Sequence, residues 1–157
     1  VAKFVLVLGV LFSGTAVIAG AMEHTVRGMI VSDVSGADAD AVGDELSDPA
    51  PNPAVAKRLS QYETGVKYQM YHGLAMIGLG MIMACSARGQ ALGMAAAVSL
   101  VLGVVLFSGT LYLIAAMGMS QLTMLVPVGG SIMILGWILF LITVLLFEPL
   151  VDREDLE

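Results

Sequence analysis

Hydrophobic side chains fall in four long runs, from about Phe4 to Met22, Tyr68 to Cys85, Ala91 to Met119 and Leu122 to Phe147. Each is close to the ~20 residues that a helix needs to cross a hydrocarbon core. Polar residues gather between the first run and the second, roughly from Glu23 to Lys67. Residues 33–53 are rich in Asp, Ala, Gly, Ser and Pro and end in Asp48-Pro49-Ala50-Pro51-Asn52-Pro53. That composition predicts an acidic, Pro-rich, extended loop over about residues 28–53. Helix formers return from Ala54, and Glu63 stands one turn before Lys67. An interfacial helix over about 54–67 is therefore expected to feed without a break into the second run. Ser86-Ala87-Arg88-Gly89-Gln90 and Gly118 to Gln121 are tight connections, which make the later runs antiparallel neighbours. The expected fold is an all-α membrane protein: a four-transmembrane-helix up-down bundle with an interfacial helix preceding helix 2. It forms a single domain over residues 1–157, closes with an acidic tail at 148–157 and has both termini on one side.

The first run also fits a secretory signal, with Lys3 as the basic end and Ala19-Gly20-Ala21 as the cleavage site. A Val at position 1 suits loss of the initiator Met alone, so the run is expected to be retained as helix 1. Composition agrees with the membrane reading. Hydrophobic residues make up 58% of the 157 and charged residues only 13%, where soluble domains carry about 25%. The 18 glycines and 11 methionines suit close helix contacts and irregular gaps in lipid. The net charge of -6 comes largely from Asp33, Asp38, Asp40, Asp44, Glu45 and Asp48 and from the tail. It argues against nucleic acid or anionic lipid as the main partner. Orientation rests on little: Lys3, Arg88 and Arg153 lie on the terminal side, against Arg27, Lys57, Arg58 and Lys67 in the first loop. The absence of Lys and Arg from Gly28 to Ala56 favours translocation of that loop and cytoplasmic termini. Cys85 is the single cysteine, which excludes an intrachain disulfide and reads as a buried, inert thiol.

Polar groups within membrane helices are costly, so each invites a functional reading. The densest set opens the second run, where Thr64, Tyr68 and His72 stack along one helix face with Gly65 and Gln69 beside them. His24 and His72 are the only histidines, and the expected topology sets both near one membrane surface, with Glu23 and Glu63 close by. Such a pair could in principle hold a metal or a haem. Nothing at ligand spacing supports this, and no metal or other cofactor is expected. The preferred role for His72 is a hydrogen bond to a neighbouring helix, with Ser108, Thr110 and Tyr112 as candidate partners. Ser108-Gly109-Thr110 and Gly129-Gly130-Ser131 read as packing sites whose hydroxyls bond back to the helix. Trp137 falls inside the fourth run and must pack or find an acceptor. Gly-x-Ser-x-Gly, His-Glu-x-x-His and Walker sequences are missing, and no Asp/Glu pair lies in a span, so no catalytic residues are expected.

The run Glu63-Thr64-Gly65-Val66-Lys67-Tyr68-Gln69-Met70-Tyr71-His72-Gly73 resembles the signature of the DUF423 / transmembrane-protein-256-like family: a Thr, then Tyr-Gln, then His and a small-apolar helix. Leu106 to Leu113, Pro127-Val128-Gly129-Gly130 and Leu135-Gly136-Trp137 are similar in order and spacing, so the resemblance covers most of residues 54–142. Two departures stand out. Ala19-Gly20-Ala21-Met22-Glu23-His24 keeps only the His of the family's usual Gly-Ala-Phe-Gly-Ala-His, and the acidic insert is longer than the usual linker. The resemblance implies a four-helix protein of bacterial inner membranes or mitochondria, and no reaction.

Three functions compete. A structural or accessory subunit of a larger membrane complex fits the small-residue faces, sparse charge and long polar loop, and is preferred. A small oligomeric transporter or channel-like protein would rest on the polar stripe, and a haem- or metal-binding protein on the two histidines. The expected partners are membrane lipid and other membrane-protein subunits, with a homo-oligomer as the alternative.

Overall fold

Asn52 starts the longest helix: its Oδ1 accepts the Ala54 amide at 2.9 Å, and Pro53 takes the first helical position, where a missing N–H costs nothing. The computed structural model describes residues 1–38, 52–86 and 88–150. It shows α1 (Ala2–Ala21), α2 (Glu23–Asp38), α3 (Pro53–Cys85), α4 (Gln90–Met117), a 3-10 turn (Ser120–Met124) and α5 (Leu125–Leu145). α1, α4 and the run Ser120–Leu145 are long and apolar enough to cross a membrane. α3 has 33 residues, about 50 Å of helix, so it exceeds a ~30 Å hydrocarbon core. Its Lys, Arg and Glu residues all lie before Tyr68.

α3 organises the molecule. Tyr62, Gly65, Gln69, His72, Met76, Leu79 and Met83 recur at alternating spacings of three and four, and all are buried except the half-buried Gln69. This is the seam of a left-handed helical bundle. α1 lies antiparallel along α3, pairing Leu6 with Gly80, Gly9 with Gly73 and Ala19 with Tyr62. α4 lies antiparallel on another side of α3, and α5 packs antiparallel on α4. Trp137 and Phe140 of α5 lean back to His72 and Gly78. The central core joins Val5, Met76, Leu79, Met83, Ala96, Ala97 and Leu100.

Glycines hold backbones in contact, Gly73 and Gly129 among them. A Cβ on Gly73 would lie 2.8 Å from the Ser13 amide nitrogen, and one on Gly129 would lie 2.6 Å from that of Phe107. α1 and α3 thus approach as closely as α4 and α5 do, which in lipid gains dispersion contact where hydrophobic burial gains nothing. α4 is bounded by Gly89 and Gly118, both in the left-handed region at φ 78° and 66°.

The structure departs from the sequence reading in several places. The extended loop expected from about residue 28 is instead helical to Asp38, because Val26, Ile30 and Val34 form an apolar stripe that packs on Tyr62, Val55 and Ala115. Residues 39–51 and 151–157, where most of the acidic loop and tail were expected, lie outside the described residues. The helix expected over 54–67 is the first part of α3, continuous with the rest. The connection after Gly118 continues as a 3-10 turn through Met124. Cys85 is exposed, not buried, since it follows Met83, where the packed seam ends. Beside it the C-terminal segment closes back on the α3–α4 turn: the Leu150 amide donates to the Cys85 carbonyl at 3.2 Å, and Arg88 meets Glu148 at 3.0 Å.

Candidate functional site

Polar side chains on the α3 seam reach every other long helix. The Tyr62 hydroxyl donates to the Ala19 carbonyl of α1 at 2.6 Å. Burial, and secondarily the Glu23 carboxylate, push its phenol above the ordinary range, so it remains a neutral donor. Two turns on, the Gln69 amide donates to the Phe12 carbonyl at 3.1 Å and to the Thr15 hydroxyl at 2.8 Å. Its Oε1 accepts from the Tyr112 hydroxyl of α4 at 2.8 Å. One side chain therefore ties α1, α3 and α4.

His72, 5% exposed, follows on the same seam. Trp137 Nε1 can only donate, and it lies 3.1 Å from His72 Nε2, so Nε2 accepts. Nδ1 lies 2.7 Å from the Tyr68 carbonyl and carries the proton. The geometry assigns a neutral imidazole in the Nδ1–H form, both nitrogens engaged. Tyr68 covers it from the side, with its ring 6.0 Å from the imidazole and 4.7 Å from Phe107. The partner of His72 is thus Trp137 and not Ser108, Thr110 or Tyr112. Tyr112 is taken by Gln69, Thr110 is buried elsewhere on α4, and the Ser108 hydroxyl, 1% exposed, has no partner among the described residues.

The remaining sequence candidates separate. Thr64 returns its hydroxyl to the Ser60 carbonyl at 2.8 Å, and Glu63 meets Lys67 at 3.8 Å on the exposed side of α3. Glu23, Glu63, Tyr62 and Lys67 line a hollow of about 360 Å³ where α1 gives way to α2. His24 is exposed on α2. It is not brought to His72, which lies ten residues, about 15 Å, along α3 from the Tyr62 level where α2 begins. Among the described residues no group of three or more His, Cys, Asp and Glu could hold a metal ion. Thr64, Tyr68 and His72 do share a face, but the inward seam runs beside it through Tyr62, Gly65, Gln69 and His72.

Sequence reasoning missed Tyr62, Thr15 and Arg58. Tyr62 could have been found by extending the three-four spacing of Gln69, His72 and Met76 toward the N-terminus. Arg58 gave no such signal. Its side chain is only 13% exposed, with Nε donating to the Ala115 carbonyl at 2.8 Å and Nη1 meeting Asp33 at 2.6 Å. It satisfies a carbonyl in the last turn of α4 and ties α2, α3 and α4 together.

A family model described as "Protein of unknown function (DUF423)" matches residues 40–130. The chain is 38% identical to a UPF0382 membrane protein of Staphylococcus haemolyticus, over 58% of this chain and 72% of that one. It is 34% identical to a UPF0382 membrane protein of Haemophilus influenzae, over 53% of this chain and 64% of that one. With the UPF0382 inner membrane protein YgdD of Escherichia coli K12 it shares 37% identity, over 55% of this chain and 65% of that one. No solved structure matches the chain.

Proposed function

The chain belongs to the DUF423 family, and we propose that it is a non-catalytic protein of a bacterial inner membrane, crossing it four times as a structural or accessory subunit of a larger complex. The observation that carries this reading is that the main polar groups at membrane depth are spent inside the bundle. Gln69 bonds Phe12, Thr15 and Tyr112, and His72 bonds Tyr68 and Trp137. Such bonds act as glue between helices in lipid. Among the described residues they leave neither a poised base nor a chain of titratable groups for proton or ion passage. The outer faces of α1 and α5 are apolar, with Val10, Val17, Ile134, Ile138 and Leu141 exposed, and suit lipid or another membrane subunit. A haem or metal would have to displace a bond at one His72 nitrogen or the other.

Gentle detergent extraction followed by native mass spectrometry tests the proposal. Larger membrane subunits retained on the chain support it, and a monodisperse homo-oligomer free of other chains sinks it. A second reading, a small oligomeric transporter, has one observation in its favour. α1, α3 and α4 line a groove of about 340 Å³ with Phe12, Gln69, Ser108 and Tyr112, and the Ser108 hydroxyl is unpartnered among the described residues. Solute flux in proteoliposomes that disappears in Gln69→Leu would move the assignment there.

A further inference from the structure

Part of α1 recurs in α4. Leu6-Val7-Leu8-Gly9-Val10 is repeated as Leu100-Val101-Leu102-Gly103-Val104, and Leu11 to Thr15 as Leu106 to Thr110 after one extra residue, Val105. The packing repeats as well. A Cβ on Gly9 would lie 2.8 Å from the Gly73 carbonyl oxygen and 2.7 Å from the Ile77 amide nitrogen. One on Gly103 would lie 3.1 Å from the Gly129 carbonyl oxygen and 2.8 Å from the Met133 amide nitrogen. Leu6 lies under Gly80 as Leu100 lies under Gly136, with amide nitrogens 2.9 and 3.1 Å from the added Cβ. The helix pair α1–α3 thus has α4–α5 as its copy, Gly9 answering to Gly103 and Gly73 to Gly129.

The two pairs are joined by the seam between α3 and α4. Leu111 of α4 faces Gly65 of α3, and Val104, Ser108 and Ala115 continue that face at spacings of three and four, all four at most 5% exposed. Shifted by the 94 residues between Gly9 and Gly103, the same face on α1 is Val10, Gly14, Val17 and Ala21, and all four are exposed. The other half of the seam behaves alike. Met76 and Leu79 share a buried core with Ala96, Ala97 and Leu100, whereas their counterparts on α5 are the partly buried Ile132 and the exposed Leu135. Each half of the seam therefore recurs on an outer helix, the α4 half on α1 and the α3 half on α5. Among the described residues the two recurring halves do not meet within the chain, since α5 packs along α4 and not along α1.

We propose that a second copy of this chain covers these faces, α5 of one copy packing antiparallel on α1 of the next as α3 packs on α4. The contact is head-to-tail, joining two different faces, so it builds a ring or a row of copies. Lipid tails are as apolar as these side chains, and the association draws on close packing instead of burial. Gly14 and Ala21, alternating with Val10 and Val17, leave room for a neighbouring backbone, and an added Cβ on Gly14 would meet nothing within 4 Å. The register follows from the seam inside the chain. Gly65 lies against Leu111, so seven residues on along α3 and seven back along α4 His72 is level with Val104. Their counterparts are Val128 and Val10, which are 49% and 58% exposed and should meet between copies.

The test is oxidative cross-linking of the full chain in proteoliposomes, in a Cys85→Ser background. Chains with Val10→Cys mixed with chains with Val128→Cys should form disulfide-linked dimers, because facing positions on closely packed helices come within disulfide reach. Each variant alone should stay monomeric. Val10→Cys mixed with Ile134→Cys, exposed on another side of α5, should cross-link several-fold less. A Val10–Val128 yield no higher than that control overturns the proposal, as do dimers formed by either variant alone, which would mean a like-with-like contact. Energy transfer between wild-type chains labelled at the exposed Cys85 gives a second reading that needs no substitution in the interface. It should persist at a low protein-to-lipid ratio and fall several-fold in Val10→Trp; no transfer in wild type also overturns the proposal. Both measurements read copy against copy, so their outcome is independent of whether other subunits are retained.

Discussion

At the scale of single residues, the hydrogen bond from Trp137 to His72 makes the sharpest claim. It joins α5 to α3 and fixes the imidazole as the Nδ1–H form. Trp137→Phe leaves Nε2 without a donor, and the expected cost is about 0.5–2 kcal/mol, the range for one interhelical hydrogen bond in a membrane protein. A double-mutant cycle with His72→Phe, read by unfolding in mixed micelles, should return a coupling of comparable size. Coupling indistinguishable from zero would show that the two rings only pack. The expected tautomer has its own readout: nitrogen chemical shifts of labelled histidine should place the proton on Nδ1. The sequence marked His72 as a residue needing a partner and Trp137 as one needing an acceptor. It did not join them, because they are 65 positions apart and their meeting depends on how far α5 leans over α4 toward α3.

Between helices, the spacing of small residues sets how closely backbones approach. Gly73→Ala drives a methyl into the Ser13 backbone, and main-chain atoms cannot yield as a flexible side-chain end does. The expected loss is about 1–3 kcal/mol, seen as a lower melting midpoint. Gly109, also inside an apolar helix, has open space where a methyl would go, with nothing within 4 Å, so Gly109→Ala should be neutral or stabilising by up to about 1 kcal/mol through helix propensity. Equal effects from the two changes would refute close approach at Gly73. α2 gives a second contrast. Ile30 is fully buried on α3, and Ile30→Ala should remove about 2–4 kcal/mol of packing. Hydrogen exchange should then speed up in Val26–Val34 and leave α4 unchanged. The apolar runs and the continuity of α3 were legible because each depends on local composition. α2 was not, because its stripe of Val26, Ile30 and Val34 is interspersed with Arg27, Gly28 and Asp33 and gains its stability only from the α3 surface beneath it. The Arg58 cap was hidden for the same reason, since Ala115 and Asp33 lie far from it in sequence.

For the whole molecule, the number of crossings decides which surfaces face which compartment. Among the described residues three helices have the length and hydropathy of spans, and counting those alone would put the two ends of the chain on opposite sides. The packing argues for an even number. α1 lies against α3 from Gly80 to Gln69 over the stretch Leu6 to Thr15, so a bilayer that covers that stretch of α1 also covers that part of α3. Its polar groups at that depth, Gln69 and His72, are the ones satisfied by other helices, which removes the main cost of placing them in lipid. On that packing we propose a fourth span for α3, from about Tyr68 to Cys85, which would leave the charged turns before it outside the hydrocarbon beside α2. The measurement is accessibility of single cysteines, introduced at Lys3, Gly36 and Glu148 in a Cys85→Ser background, to a membrane-impermeant thiol reagent. Positions 3 and 148 should label from the same face, the cytoplasmic one, and position 36 from the other. Labelling of 3 and 148 from opposite faces would mean that α3 does not cross, and the side-by-side pairing of α1 with α3 would then have to be abandoned as well.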